Sequence, residues 1–354
     1  MRLLRFQVDE EVKIGSLIGT RVIDLEKGRQ LLSESGDNRF DELEVLRGGF
    51  QHILLHYGWT FSLLRSLEDS MRELVIHDNS LEESTELFYK EKDIVYKSLF
   101  PDHNRILTCR GLNPNTLRTQ SAFRLPVIPV GDWRSRNKLI AHKEPFILPK
   151  TQLSESEQGY PGGCNPEVGI ILGGFAKDIS RTDASEIIGA YSIFVDSSMP
   201  STAEVAKRIG VDSETALTLG TEPTYHALRM PHPVGPTLVT KDEILDPYSL
   251  EFTLVDSGTV TDYGISKSLM VSFEEIVHYY SHILTLKPGD LLTTSAPGFD
   301  GLPFEPSYEV HQNPYIEVRS PQLGNLFNPI DDQRHTTGAK DVEAFDPMLP
   351  NKDR

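Results

Sequence analysis

The centre of the chain reads YPGGCNPEVGIILGG over residues 160–174 and YSIFVDSS over residues 191–198. In the first stretch Glu167 opens an apolar run that two glycines close, a pattern that predicts a buried strand. In the second stretch an apolar run ends at Asp196. A helical pattern, Thr182 to Ile188, lies between the two runs. We therefore expect two core strands that each carry a carboxylate at one end.

These two carboxylates predict a cation site. A carboxylate at the end of a buried strand is costly unless it is paired or bound to a metal. Asn165 lies two residues before Glu167, so both side chains face the same side of a strand, and Asp196 could supply a third oxygen. Oxygen ligands of this kind suit Mg²⁺, Ca²⁺ or Mn²⁺. The alternative is that Glu167 and Asp196 are ordinary polar residues or caps at strand ends.

Composition narrows the class of protein. The chain has 354 residues, of which 38% are hydrophobic, and its formal net charge is −17. That charge argues against nucleic acid or an anionic membrane as a partner, but not against a small anion held by a bound cation. The N-terminus is too charged for a signal peptide, and no apolar run approaches the roughly 20 residues that span a bilayer. The two cysteines, Cys109 and Cys164, lack metal-type spacing and predict a reducing, cytoplasmic location.

The length predicts one large domain and a smaller one. We expect residues 1–103 to form an N-terminal α+β domain that begins with alternating strands and is helical over residues 39–100. Residues 104–330 are predicted to form a larger, mainly β domain, and the polar residues 331–354 a flexible tail. A polar stretch over residues 119–142, broken by prolines, predicts a long loop of the kind that covers binding sites.

Local sequence patterns predict the helix, turns and strand that follow in the C-terminal part of the chain. Ser272 followed by Glu275 is a capping box and predicts the start of a helix. Pro231 to Pro236 predicts a rigid turn, and residues 256–258 predict a hairpin turn. The apolar run Leu291 to Thr294 predicts a strand. We find no internal repeat, no Gly-x-Ser-x-Gly elbow of a serine hydrolase, and no Gly-x-Gly-x-x-Gly dinucleotide fingerprint.

Five segments, in this order, resemble the fumarylacetoacetate hydrolase family. They are Glu167 to Gly173, Ile188 to Asp196, Pro233 to Pro236, Leu286 to Pro297 and Gly324 to Asn328. The resemblance covers about residues 104–330. It implies an α+β fold in which a mainly β C-terminal roll follows the small N-terminal domain. It also implies a homodimer, because these rolls usually pair through their sheets.

The resemblance implies a metal-dependent reaction on a small 2-keto or 1,3-diketo acid of the acylpyruvate type. Glu167 matches the second glutamate of the family's Glu-x-Glu metal motif, Asn165 stands at the first, and Asp196 matches the metal-binding aspartate. The metal, expected as Mg²⁺ or else Mn²⁺ or Ca²⁺, would stabilise the enolate that leaves when a C–C bond is hydrolysed. Thr294 and Ser295 would contact the substrate.

The chain departs most from the family pattern at the residue expected to act as the catalytic base. Leu117 stands at the position of the family's catalytic histidine, and His226 stands at that of its site lysine. His226 and His142 are the candidate bases, since a histidine pKa near neutrality suits that role. These departures leave room for a decarboxylase, an isomerase or a lyase on a related keto acid. They also leave room for a non-catalytic relative that binds a small anion or a partner.

Overall fold

Two β-sheets form the framework of the molecule. The computed structural model describes residues 1–77, 87–100, 105–110, 129–134, 138–148, 163–198, 230–256, 258–298 and 314–332. Within these residues one sheet has 12 strands and the other has 5. The expected α+β class, dominated by strands in the C-terminal part, is confirmed.

The elements follow one another with these bounds. The strands are β1 Arg2–Val8, β2 Glu11–Ile18, β3 Arg21–Asp24, β4 Phe88–Lys90, β5 Val95–Lys97, β6 Ile106–Arg110, β7 Val130–Arg134, β8 Leu139–Ile140, β9 Phe146–Leu148, β10 Gly163–Leu172, β11 Ile188–Ser198, β12 His232–Thr240, β13 Glu251–Asp256, β14 Thr259–Ile265, β15 Leu291–Thr293, β16 Tyr315–Ser320 and β17 Gly324–Asp332. The helices are α1 Leu25–Glu34, α2 Gly49–Leu55, α3 Tyr57–His77, α4 Arg181–Ile187 and α5 Phe273–Ile283. None of these described helices is long and apolar enough to cross a membrane.

The two predicted central strands are β10 and β11, and they pair antiparallel along their whole length. Their neighbours in the large sheet run in the order β12, β11, β10, β15, β6, β7. Val168, Ile170 and Leu172 of β10 face a core cluster shared with β13, β16 and α5. Ile171 faces the opposite side, in a cluster shared with the N-terminal helices. The strand is therefore apolar on both faces because both faces of the sheet are covered.

The N-terminal strands belong to the same large sheet. β1, β2 and β3 are the predicted alternating strands, and they pair as an antiparallel meander. β1 also pairs with β12, placing Leu3 opposite Leu238. The sheet thus continues across the predicted domain boundary at residue 103, and the division into domains stays a prediction. The predicted tail, residues 331–354, lies outside the described residues except for the end of β17.

Two predictions about local structure are wrong. The expected helices end at His77, and β4 and β5 follow as short strands that pair with β3 and β1. These strands are only three residues long, so pairing with existing strands, rather than their own pattern, fixes them. Pro233 to Pro236 lies inside β12 and not in a turn. A register shift of β11 between Tyr191 and Ile193 accommodates this stretch, which includes a cis bond before Pro236.

Helix α5 is the best-signalled helix, and its predicted start is confirmed. The Ser272 hydroxyl accepts a hydrogen bond from the backbone N–H of Glu275 at 3.0 Å. We expect Ser272→Ala to lower the free energy of unfolding by about 1 kcal/mol, because one N–H of the first turn loses its partner. Urea unfolding measures this change. Ser185→Ala, at a half-buried position inside α4 and not at a cap, is the matched control, and an equal effect of both substitutions would contradict the assignment of the cap.

Candidate functional site

Six neighbouring strands bring polar side chains to one face of the large sheet. In the antiparallel pair β10–β11, Asn165 lies directly opposite Asp196, so both side chains project to the same side. Alternate residues of a strand share a face, which adds Glu167. The pairings of β10 with β15, β15 with β6, β6 with β7 and β11 with β12 extend this face. We call the resulting set the polar row: His232, Asp196, Asn165, Glu167, Thr293, Thr108, Asp132 and Arg134.

The sheet is strongly curled around the polar row. β7 and β11 are separated by three strands in the sheet order, so in a flat sheet they would lie about 19 Å apart at ~4.8 Å per spacing. Yet the side chain of Arg134 on β7 touches Asp196 on β11. Only a sheet that coils, with the polar row on its concave face, permits this contact. This geometry agrees with the predicted roll.

Arg134 and Asp196 form a two-pronged ion pair. Nε of Arg134 donates to Oδ1 of Asp196 at 2.9 Å, and Nη2 donates to Oδ2 at 2.9 Å. The two side chains are only 2% and 11% exposed, so water screens the pair weakly. Burial opposes the charge of Arg134, but the hydrogen bonds and charge of Asp196 outweigh it and raise the guanidinium pKa. The site therefore holds a permanent positive charge.

Glu167 is the second buried carboxylate of the row. Its side chain is 3% exposed and accepts a hydrogen bond from the hydroxyl of Thr293. Burial, followed by the charge of Glu167, raises the pKa of the Cys109 thiol, so this cysteine is protonated. Thr293 was not predicted from the sequence, although it lies one residue before the predicted Thr294. Its place opposite Gly169 in the β10–β15 pairing accounts for its position on this face.

The predicted substrate-binding hydroxyls bond to the main chain. Thr294 Oγ1 accepts from the Val168 backbone N–H at 3.1 Å and donates to the Ser295 carbonyl at 2.9 Å. Ser295 Oγ donates to the Cys109 carbonyl at 3.3 Å. Both side chains are buried, and these bonds hold the end of β15 against β10 and β6. Their role in substrate binding stays a prediction.

His232 joins the row from β12 and was not among the predicted site residues. Its Nδ1 accepts from the Ser197 backbone N–H at 3.2 Å and lies 3.4 Å from Asp196 Oδ1. The ring stacks on Phe194 with centroids 5.7 Å apart. Burial lowers the pKa of His232 to about 4, with Asp196 opposing and Arg134 adding to the shift. The imidazole is therefore neutral near pH 7.

The other nitrogen of His232 is an unsatisfied donor. Because Nδ1 accepts from a backbone N–H, which can only donate, Nε2 carries the ring proton. Nε2 is fully buried and has no hydrogen-bond partner among the described residues. A buried donor without a partner costs about 1–3 kcal/mol. It therefore marks a position that a ligand, a water molecule or a group outside the described residues completes.

The two predicted bases are not brought to the row by the described contacts. His142 is buried elsewhere, where its Nδ1 accepts from the Phe327 N–H at 3.1 Å and its ring meets Tyr96 edge-on at 4.6 Å. His226 lies outside the described residues. The contacts of His142 explain its burial without a catalytic role, and both assignments stay predictions. Much of the predicted loop over residues 119–142 also lies outside the described residues.

The predicted metal ligands Asn165, Glu167 and Asp196 share one face of the sheet, and Arg134 engages Asp196 there. Each carboxylate oxygen of Asp196 accepts from the guanidinium of Arg134, and Asn165 carries no charge. Among the described residues no group of three or more His, Cys, Asp or Glu side chains is placed to hold a metal. A divalent ion on Asp196 would need Arg134 to move away. The metal site of Asn165, Glu167 and Asp196 therefore stays a prediction.

Removal of the Asp196 charge tests how much the buried ion pair with Arg134 matters for the free energy of unfolding. Asp196→Asn would remove the carboxylate to which both Nε and Nη2 of the buried Arg134 donate, so we expect a loss of about 3–5 kcal/mol in the free energy of unfolding. Urea unfolding near pH 7 measures it. Asp37→Asn is the matched control, because Asp37 forms the same type of two-pronged pair with Arg39 on the surface. A similar small loss in both variants would show that the buried pair is not formed.

The burial of His142 predicts a pH dependence of stability. Burial, with the charge of Lys143, lowers the pKa of His142 from 6.5 to about 3. Between these values the unfolded chain binds a proton that the folded chain does not, so stability falls as the pH is lowered through 6.5 toward 3. We expect His142→Gln to reduce this slope by up to about 1.4 kcal/mol per pH unit. Urea unfolding between pH 8 and pH 5 measures the slope.

The unfolding measurement at pH 8 is the control for the pH dependence. At pH 8 the histidine is neutral in both states, so the difference between parent and variant there reports lost packing alone. Only the further change between pH 8 and pH 5 reports the proton. Parallel curves for parent and variant over this range would show that His142 is not buried as a neutral ring.

Known proteins share this fold and parts of this sequence. Residues 107–331 match the family described as Fumarylacetoacetate (FAA) hydrolase, C-terminal. A 2,4-didehydro-3-deoxy-L-rhamnonate hydrolase from Sphingomonas sp. (strain SKA58) is 25% identical over 226 residues, which make up 64% of this chain and 73% of that protein. A mitochondrial oxaloacetate tautomerase from Rattus norvegicus is 23% identical over 222 residues, or 63% of this chain and 65% of that protein. The match thus spans less than two thirds of the tautomerase.

A solved structure extends the likeness to the N-terminal region. Maleylpyruvate hydrolase from Sphingobium sp. SYK-6, in complex with manganese(II) ion and pyruvate, has a TM-score of 0.60 at 15% identity, over 94% of this chain and 99% of that chain. At this identity the likeness shows the fold. The family match covers more than half of the chain, and it includes every member of the polar row. The chain therefore belongs to the fumarylacetoacetate hydrolase family.

Proposed function

We propose that this protein is an enzyme that converts a small 2-keto or 1,3-diketo acid, of the acylpyruvate type, at the polar row. Hydrolytic C–C cleavage is the first reaction among those considered. The observation that carries the proposal is the buried set of Glu167, Asp196 and Arg134 on the concave face of the sheet. Family membership supports it, since relatives include a hydrolase found with pyruvate and an oxaloacetate tautomerase.

The polar row contains buried hydrogen-bond donors that suit such a substrate. A keto acid presents a carboxylate and a ketone oxygen, and negative charge grows on that oxygen when an enolate leaves. Buried, fixed donors stabilise such charge because they do not have to reorient during the reaction. Arg134 is a permanent cation here, and the Nε2–H of His232 is a buried donor without a partner among the described residues. Both lie beside Asp196 and are suited to this charge.

In the hydrolysis of a 1,3-diketo acid, water adds to the ketone carbon farther from the carboxylate and loses a proton to a base. The bond between that carbon and the neighbouring CH2 carbon then breaks. Its electron pair forms the enolate of the leaving 2-keto acid, and a proton returns to the CH2 carbon. Glu167 and the hydroxyl of Thr293 form a fixed, buried pair at this face. We propose that this pair orients the reacting groups, and His226 or His142 remains the predicted acceptor of the water's proton.

Magnesium would supply Lewis-acid stabilisation of the same enolate oxygen if it were bound. Asn165, Glu167 and Asp196 are the residues predicted to hold it, with Mn²⁺ or Ca²⁺ as alternatives. Because Arg134 engages both oxygens of Asp196, none of the steps above depends on the ion.

Three other reactions also pass through an enolate and are the alternatives. A decarboxylase, an isomerase or a lyase on a related keto acid would use the same hydrogen-bond donors. Identification of the reaction products distinguishes these activities. We also propose a homodimer, which the resemblance implies, and a cytoplasmic location. Both cysteines are buried and free, which supports a reducing compartment.

A substrate screen with two variants tests the proposal. We expect the purified protein to turn over an acylpyruvate or oxaloacetate, and Glu167→Gln to lower kcat/KM by about 100-fold, the range typical of a positioned acid–base group. Thr293→Val keeps the shape of the side chain but removes the donor to Glu167, so we expect a smaller loss of about tenfold, which corresponds to one hydrogen bond. Spectrophotometric assays with product identification measure both effects.

Thr285→Val is the matched control, because Thr285 is exposed and lies outside the strands that carry the polar row. Turnover that survives both Glu167→Gln and Thr293→Val would place the chemistry elsewhere. If none of these acids is turned over by a folded protein, the non-catalytic reading becomes the better one.

A further inference from the structure

Two histidines share one side of helix α5 near its C-terminal end. His278 and His282 are four residues apart, so their side chains lie on the same face of the helix. Their ring centroids are 4.6 Å apart, and the ring planes meet at 64°. His282 is exposed and His278 is half-buried, so an ion from solvent can reach the pair. The same spacing brings two zinc-binding histidines together in helical metal sites.

Hydrogen bonds to the main chain determine which nitrogen of each ring carries the proton. Nδ1 of His278 lies 2.7 Å from the carbonyl oxygen of Ile179, and Nδ1 of His282 lies 2.9 Å from that of His278. A carbonyl oxygen only accepts, so each Nδ1 is the donor and each neutral ring has its lone pair on Nε2. The Ser281 hydroxyl, 3.3 Å from Nδ1 of His282, does not alter this, because it donates its proton to the His278 carbonyl at 2.7 Å.

Histidines that bind metals are held in this way. A metal-ligating histidine usually donates its other ring N–H to a carbonyl or a carboxylate, which orients the ring and makes the ligating nitrogen more basic. Zn²⁺ lies about 2.0–2.1 Å from an imidazole nitrogen, so two rings on one ion have centroids about 4.5–5 Å apart. The separation of 4.6 Å between His278 and His282 falls in this range.

The C-terminal end of a helix also favours a cation. The last carbonyls of α5 have no partner inside the helix, and the helix dipole is negative at this end. The ammonium of Lys177 already lies there, 3.4 Å from the carbonyl oxygens of Ser281 and His282. Asp178 lies 3.3 Å from this ammonium and offsets its charge. The one cation that would oppose a metal ion at the histidines is therefore paired.

We propose that His278 and His282 form a binding site for a divalent transition-metal ion such as Zn²⁺ or Cu²⁺. Imidazole nitrogens suit these ions, whereas Mg²⁺ and Ca²⁺ prefer oxygen ligands. No third His, Cys, Asp or Glu among the described residues joins the pair, so water completes the coordination shell. Helix α5 packs against Val168, on the face of β10 that points away from Glu167, so this ion lies apart from the polar row.

Calorimetric titration of the full chain with Zn²⁺, in excess Mg²⁺, tests the site. We expect His282→Gln to raise the dissociation constant for Zn²⁺ by about tenfold or more, because a two-ligand chelate becomes a single ligand. His282 is exposed, so this variant keeps the packing of α5. His278→Gln should have the same effect, although it also removes the contact with Ile179. Zn²⁺ should raise the melting temperature of the parent more than that of either variant, since an ion that binds the folded state stabilises it.

His56→Gln is the matched control. His52 and His56 have the same spacing in the sequence, but α2 ends at Leu55, so the two do not share one helix. This variant should bind Zn²⁺ as tightly as the parent does. An unchanged affinity for Zn²⁺ in His282→Gln would overturn the proposal. A loss of that affinity in Glu167→Gln would also overturn it, because the ion would then lie in the polar row.

Electron paramagnetic resonance of Cu²⁺ identifies the ligands without reference to affinity. At one equivalent of Cu²⁺ we expect nitrogen hyperfine splitting from two imidazoles in the parent and from one fewer in His282→Gln. The same number of coupled nitrogens in both proteins would contradict the assignment of the pair. Neither measurement depends on turnover of a keto acid, so its outcome is separate from that of the proposed function.

Discussion

The contact between Arg134 and Asp196 is the constraint on which the rest of the site depends. It joins two strands that are separated by three others in the sheet order, and it can form only if those strands coil around a common interior. A buried ion pair contributes little net stability by itself, because both charges lose their water. It is, however, costly to break on one side only. The pair therefore specifies the curvature of the sheet more than it stabilises the fold.

A hydrophobic core lies next to the polar row on the same face of the sheet. Ile171, Phe194 and Leu291 share the face of the row, and they pack in one cluster with Leu25 and Leu67 from the N-terminal helices. The polar row thus occupies one end of a face whose other end is a hydrophobic core. Removing the N-terminal helices would expose the floor of the site to water. The N-terminal segment is in this sense part of the site, although it contributes none of the polar side chains.

The sequence predicts those site residues that have a recognisable local pattern around them. Glu167 and Asp196 stand out because a carboxylate next to a buried run is unusual, and the i, i+2 spacing adds Asn165. Arg134 carries no such mark, since it lies 62 residues before Asp196 and inside a stretch that reads as a polar loop. His232 lies between two prolines that predict a turn, so the sequence does not predict the strand that begins there. Both are placed by pairing between distant strands, which no local pattern records.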